Sequence, residues 1–149
     1  MKQFFKLNAM SMLYALMIFV PVELMVNVYR ISRLTGWELA TVNTIINVTI
    51  MVELVVGTII FLLLTKRFLN QNKSNYITVI LWLMYYYLFI KIFAHLFPIT
   101  YGGDQPNPVT GLLIIGAMII FPIYIAVINF VGSNLISGSR LMNKIRGES

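Results

Sequence analysis

Cysteine is absent from this 149-residue chain. That absence excludes disulfides, zinc–thiolate and iron–sulfur sites, and thiol nucleophiles. Charge is scarce: 11% of the residues are charged, against roughly 25% in an ordinary soluble protein. There is one histidine, so bis-histidine haem ligation within the chain is excluded. Asp104 is the only aspartate. The fingerprints HExxH, GxSxG, the P-loop and GxGxxG do not occur. No metal ligand set, cofactor or catalytic set is expected from these residues.

Apolar sequence fills the space that charge leaves. Hydrophobic residues make up 59% of the chain. A water-soluble protein of that composition would carry large exposed apolar patches. The apolar residues collect in runs of roughly 7–29, 39–64, 76–97 and 109–136. Each run reaches the length of about 20 residues that a helix needs to cross a bilayer. The alternation of a β-barrel strand is missing, and backbone groups in lipid must be paired internally, so helix remains. The expected fold is an all-α integral membrane bundle of four transmembrane helices. It forms one domain over residues 1–149, with a short basic tail over 137–149. The connectors are short and polar, which makes successive helices antiparallel neighbours. Residues 30–38 and 65–75 read as loops, and 98–108, with its prolines and Gly102-Gly103, is the strongest turn signal. The first run has a basic leader but no small-x-small cleavage site, and it is expected to be an uncleaved first helix.

Basic residues set the expected orientation. Lys2, Lys6, Lys66, Arg67, Lys73, Arg140, Lys144 and Arg146 fall on one side of the four spans, and only Arg30 and Arg33 on the other. This asymmetry gives both termini a cytoplasmic location in a multi-pass protein of the cell membrane. The net charge of +6 sits at the ends of the apolar runs, where it meets anionic headgroups. It is not a basic stripe interleaved with aromatics, so nucleic acid is not an expected partner.

Charges inside the spans carry the functional signal, because each costs several kcal/mol at the bilayer centre. Glu23, Glu53 and Lys91 are of this kind, and His95 lies one turn beyond Lys91. Helical rise of about 1.5 Å per residue places Glu23 and Lys91 at similar depth, with Glu53 roughly 6 Å deeper. Lys91 is therefore expected in the interior, paired with one of the two carboxylates. Polar neighbours form matching arcs at about 100° per residue. Asn43, Asn47, Thr49, Glu53 and Gly57 share the second span. Tyr87, Lys91 and His95 share the third, with Trp82, Tyr86 and Phe93 turned to lipid. Gly111, Pro122, Asn129 and Ser133 share the fourth. The candidate cluster is Glu23, Glu53, Lys91, His95, Asn47, Tyr87 and Asn129.

The expected function is that of a non-enzymatic subunit or accessory partner of a membrane complex. The alternative is a small oligomeric transporter or channel module using the Glu/Lys cluster. A third reading is an enzyme acting on lipid at the outer leaflet, with Glu23 and His95 as an acid/base pair. The expected partners are the lipid bilayer and either another membrane protein or a second copy of this chain.

Overall fold

The computed structural model describes residues 2–68 and 73–146. The middle of the 65–75 connector and the last residues of the basic tail, 147–149, lie outside the described residues. Among the described residues the secondary structure is helical, with no strand. The helices are α1 (Lys2–Val26), α2 (Val28–Thr35), α3 (Leu39–Phe68), α4 (Thr78–Leu96) and α5 (Pro108–Arg146). Short 3-10 turns cover Lys73–Ile77 and Gly102–Asp104. Four helices, α1, α3, α4 and α5, are long and apolar enough to cross a membrane, as the composition requires.

The 30–38 connector departs from the expected loop. Helix continues past the first span to Thr35 with only a break at Asn27. The backbone ladder nearly spans that break: Asn27 N–H donates to Glu23 O at 3.0 Å and Ile31 N–H to Asn27 O at 2.8 Å. Gly36 ends α2 at φ 71°, with its N–H donating to Ser32 O at 2.9 Å. This left-handed conformation is open to glycine and strained for most other residues. The Ser32 hydroxyl then donates to Trp37 O at 2.7 Å, which tightens the turn into α3. α1 runs through Pro21 without interruption.

α1 is the hub. It packs on α4, α3 and α5, while α3 and α5 pack on each other and α4 on α5. α3 and α4 thus lie on opposite flanks of α1. The main core joins Met10, Tyr14 and Ile18 of α1 to Phe61, Trp82, Tyr86, Phe121, Ile125 and Ile128. Tyr14 stacks on Phe61 with ring centroids 4.4 Å apart, and Trp82 meets Phe121 edge-on at 4.9 Å. Close fit between these side chains gives the bundle dispersion contacts that each add little and together add much.

For orientation, the "terminal end" of the bundle is where α1 begins, and the "loop end" carries α2 and residues 97–107. At the terminal end α3 and α5 meet backbone to side chain. A Cβ placed on Gly132 would fall within 2.8 Å of Thr65 Cβ. α5 is one helix of 39 residues, about 58 Å long at about 1.5 Å per residue. The basic tail expected from residue 137 is therefore, as far as Arg146, a helical extension of the last span.

Candidate functional site: a groove between the third and fifth helices

α3 and α5 part company toward the loop end. There the face of α3 carrying Val42 and Ile46 packs on Val28 of α2, with Leu24, Met25, Tyr29 and Ile31 around them. The same stretch of α5 joins the main core instead, through Ile114, Ala117 and Met118. Two separate clusters therefore pull the two helices in different directions. A Cβ at Gly111 or Gly116 would meet nothing within 4 Å. Between the splayed halves lies a groove with a cavity of 330 Å³ at its apex. Met17, Ile18 and Pro21 of α1 form its floor, and Ile50, Glu53, Leu54, Ala117, Ile120 and Tyr124 are among its walls.

Glu53 is half-buried at this apex. Its Oε2 is enclosed and has no hydrogen-bond partner. Just below it, the Thr58 hydroxyl and Tyr124 hydroxyl are 2.9 Å apart, and Tyr124 OH lies 3.7 Å from Met17 Sδ. These contacts close the groove toward the terminal end. Asn43 and Asn47 are exposed on α3 above the apex. Neither amide has a side-chain hydrogen bond among the described residues. Asn43, Asn47, Ile50 and Leu54 follow a 4-3-4 spacing that puts them on one face of the helix.

The expected common polar interior does not form. Tyr87 is 63% exposed, and Lys91 and His95 also lie on the outer face of α4. Trp82 and Tyr86, expected to face lipid, are buried, and Phe93 packs on Phe19 with centroids 5.8 Å apart. α4 is turned about its axis relative to the expectation. The i, i+4, i+8 pattern correctly groups Tyr87, Lys91 and His95, but Trp82, Tyr86 and Phe93 fill the interior and leave that stripe on the outside. Among the described residues Lys91 has no carboxylate partner. Its Nζ lies 5.5 Å from the centre of the Tyr87 ring. The side chain leans toward the N-terminus of α4, as helical side chains do, and so does not reach toward the loop end.

Glu23 also stands apart from Lys91. Its Oε2 accepts a hydrogen bond from Asn27 Nδ2 at 3.1 Å. It separates two cavities of 410 and 540 Å³ at the loop end, both bounded by Asn27, Phe93 and Phe97. Arg30 lines the first, and its Nη1 donates to Phe97 O at 3.0 Å, capping α4. His95 lines neither cavity, so Glu23 and His95 do not form an acid/base pair. Asn129 is buried in the interior as expected, with a packing role. Its Nδ2 donates to Thr78 Oγ1 at 2.9 Å and to Asn75 O at 3.3 Å, fastening α5 to the start of α4.

The loop end carries a clasp that sequence reasoning missed. Arg33 grips Asp104 with two hydrogen bonds, Nε to Oδ1 at 2.8 Å and Nη2 to Oδ2 at 2.7 Å. The guanidinium also lies 5.2 Å from the Tyr101 ring centre. The two residues are 71 positions apart, and only the antiparallel arrangement brings them together. The hydrogen bonds from Arg33 hold the Asp104 carboxyl below its ordinary value, and Asp104 raises the guanidinium in return. A depressed carboxylate favours the folded loop above the unfolded-state pKa of about 3.9 and ceases to do so as pH falls through the folded value. The clasp should therefore hold at neutral pH and release only in acid, below about pH 4. Limited proteolysis of the 97–107 loop should accelerate in that window. Asp104→Asn should cleave faster already at pH 7 and show a flatter acid profile. Equal acid profiles for the two proteins would show that the clasp does not hold the loop.

Comparison with protein-family models, curated proteins and solved structures finds no match to this chain. The class it defines is an all-helical bundle with four helices long and apolar enough to cross a membrane, and with an ionisable side chain in a lateral groove.

Proposed function

We propose that this protein is a multi-pass subunit or accessory partner of a cell-membrane complex, without enzymatic activity of its own, and that its groove between α3 and α5 holds a transmembrane helix. One observation carries the reading. Glu53 has an enclosed, unpartnered carboxylate oxygen in a groove that opens sideways along two membrane-length helices. An ionisable group at that depth is costly without a partner. Asn43 and Asn47, exposed on α3 nearer its start, add two amides with no side-chain hydrogen bond among the described residues. A partner helix supplying a donor would satisfy the Glu53 carboxylate. Membrane insertion with both termini cytoplasmic is supported by the apolar helices and by the basic residues around the terminal end. A transport pathway along the bundle axis is disfavoured by the aromatic filling of the core, Tyr14 on Phe61 and Trp82 on Phe121.

The absence of cysteine makes the test direct. Single cysteines at Gln105 and Lys66, both exposed, report orientation, and Gln105 alone should react with an impermeant maleimide on intact cells. A photo-crosslinking residue at Ile120, in the groove, should form a defined protein adduct in native membranes that Glu53→Gln weakens. The same probe at Ile80, on the outer face of α4, should form that adduct independently of Glu53→Gln or only with lipid. Lipid adducts alone at Ile120 would overturn the reading.

A further inference from the structure

Lys91 and Glu53 are two ionisable groups that the bundle leaves unmatched, and they lie at the same level. Phe19 packs on both Phe89, at 5.6 Å, and Phe93, at 5.8 Å, so residue 91 stands opposite Phe19 along the axis of α1. Glu53 shares its cavity with Met17, Ile18 and Pro21, the residues that bracket Phe19. The depth difference of roughly 6 Å expected from helical rise alone is thus removed by the way the helices pack. What separates the pair is direction. α3 and α4 lie on opposite flanks of α1, so one side chain opens on one side of the molecule and the other on the opposite side.

The faces that carry them are complementary in shape as well as in charge. Ile80, Met84, Tyr87 and Lys91 follow a 4-3-4 spacing along the exposed side of α4. The walls of the groove carry part of the same spacing, with Ile50 and Leu54 on α3 and Ala117, Ile120 and Tyr124 on α5. Side chains so spaced line the seam of packed helices. The ridge on α4 is convex and the groove concave, and the ridge brings a cation where the groove holds a carboxylate.

We infer that a second copy of this chain occupies the groove: α4 of one protomer seats between α3 and α5 of the next, and Lys91 pairs with Glu53 across the contact. This assignment rests on the groove being a helix-binding site and names its occupant. Rotation about an axis along the membrane normal keeps every residue at its depth, so groups level within one copy are level between copies. Ridge and groove are different surfaces, so the contact is heterologous, and successive copies close into a ring or extend as an open array. Each copy then loses two uncompensated intramembrane charges, one at each of its contacts.

The test uses the full chain, fluorescently labelled and reconstituted in phosphatidylcholine/phosphatidylglycerol vesicles, with association read by energy transfer on dilution in lipid. Wild-type protein should associate. Lys91→Met and Glu53→Gln should each weaken association roughly tenfold or more, because each leaves one charge stranded. Far-UV circular dichroism checks that the helices persist. The decisive sample is a mixture of the two variants. Glu53→Gln chains keep Lys91 and Lys91→Met chains keep Glu53, so one intact contact remains between unlike copies. The mixture should associate better than either variant alone, because no contact between unlike copies strands a charge, whereas every contact between like copies does. The exchange Glu53→Lys with Lys91→Glu in one chain should restore larger assemblies. A wild-type monomer at all dilutions, or association indifferent to both substitutions, would overturn the inference. In that event the adduct formed from Ile120 separates the two failures. If it contains a different membrane protein, the groove still binds a helix; if it contains lipid only, the proposed function falls with the inference.

Discussion

Trp82→Ala should lower the stability of the detergent-solubilised monomer by about 3–5 kcal/mol, while Tyr87→Ala changes it by no more than about 0.5 kcal/mol. The two residues are five positions apart on one helix and have opposite exposures, 0% for Trp82 and 63% for Tyr87. Trp82 sits where α1, α4 and α5 converge. It meets Phe121 edge-on at 4.9 Å and Tyr86 at 5.9 Å, and its indole N–H donates to Val79 O at 2.9 Å. Removing the ring opens a void that the rigid helices around it cannot close, and neighbours on every side lose their dispersion contacts. The indole's hydrogen bond goes to a carbonyl of its own helix, so its loss matters less than the void. Tyr87 faces outward, with the Lys91 ammonium 5.5 Å from its ring centre. Unfolding by sodium dodecyl sulfate in mixed micelles, followed by far-UV circular dichroism, measures both. A neutral Trp82→Ala beside a costly Tyr87→Ala would mean that α4 presents its polar stripe to the core.

That contrast also marks how far the sequence could be read. The helical class and the number of membrane-length helices follow from run length, because satisfying the backbone in lipid leaves no other choice for such runs. The rotation of α4 does not follow. In water the apolar face of a helix must turn inward; in lipid apolar side chains are tolerated on both faces, so the packing of the Thr78–Leu96 aromatics outweighs the cost of leaving Lys91 outside. Fit depends on Phe19, Phe121 and Ile125 of other helices, which no pattern within residues 78–96 reveals. Glu53 could be singled out by its charge alone, and so could Lys91. Their equal height could not, because it is set by how α1 meets its neighbours and not by counting residues from the ends of the runs. The Arg33–Asp104 clasp was legible only as two opposite charges in the loops of one side. The extension of helix to Thr35 was hidden by Arg30 and Arg33, which read as loop residues. These residues cap α4 and hold the 97–107 loop while remaining helical themselves.

Gly132→Ala should cost about 1–3 kcal/mol, and the damage should fall at the terminal end, where α3 and α5 touch. Alanine is the better helix former by about 1 kcal/mol in an exposed helix, so propensity alone calls for stabilisation, and the sign of the result decides between propensity and packing. Packing should win. A Cβ at residue 132 would stand within 2.8 Å of Thr65 Cβ and closer still to its methyl group. Thr65 is fully buried and cannot turn aside into open space. Either the helices separate or Thr65 adopts a poor rotamer, and both weaken the contact beside Phe61 and Ile128 that holds the base of the groove. Thr65→Ala in the same chain should recover part of the loss, because it removes the methyl nearest to the new Cβ. The double-mutant cycle would then show a coupling energy of about 0.5 kcal/mol or more between residues 65 and 132. Gly111→Ala is the control, since a Cβ there meets nothing within 4 Å; it should be neutral or slightly stabilising. If Gly132→Ala behaves like Gly111→Ala, the close approach of α3 and α5 at the terminal end is not what keeps the groove's walls joined at their base.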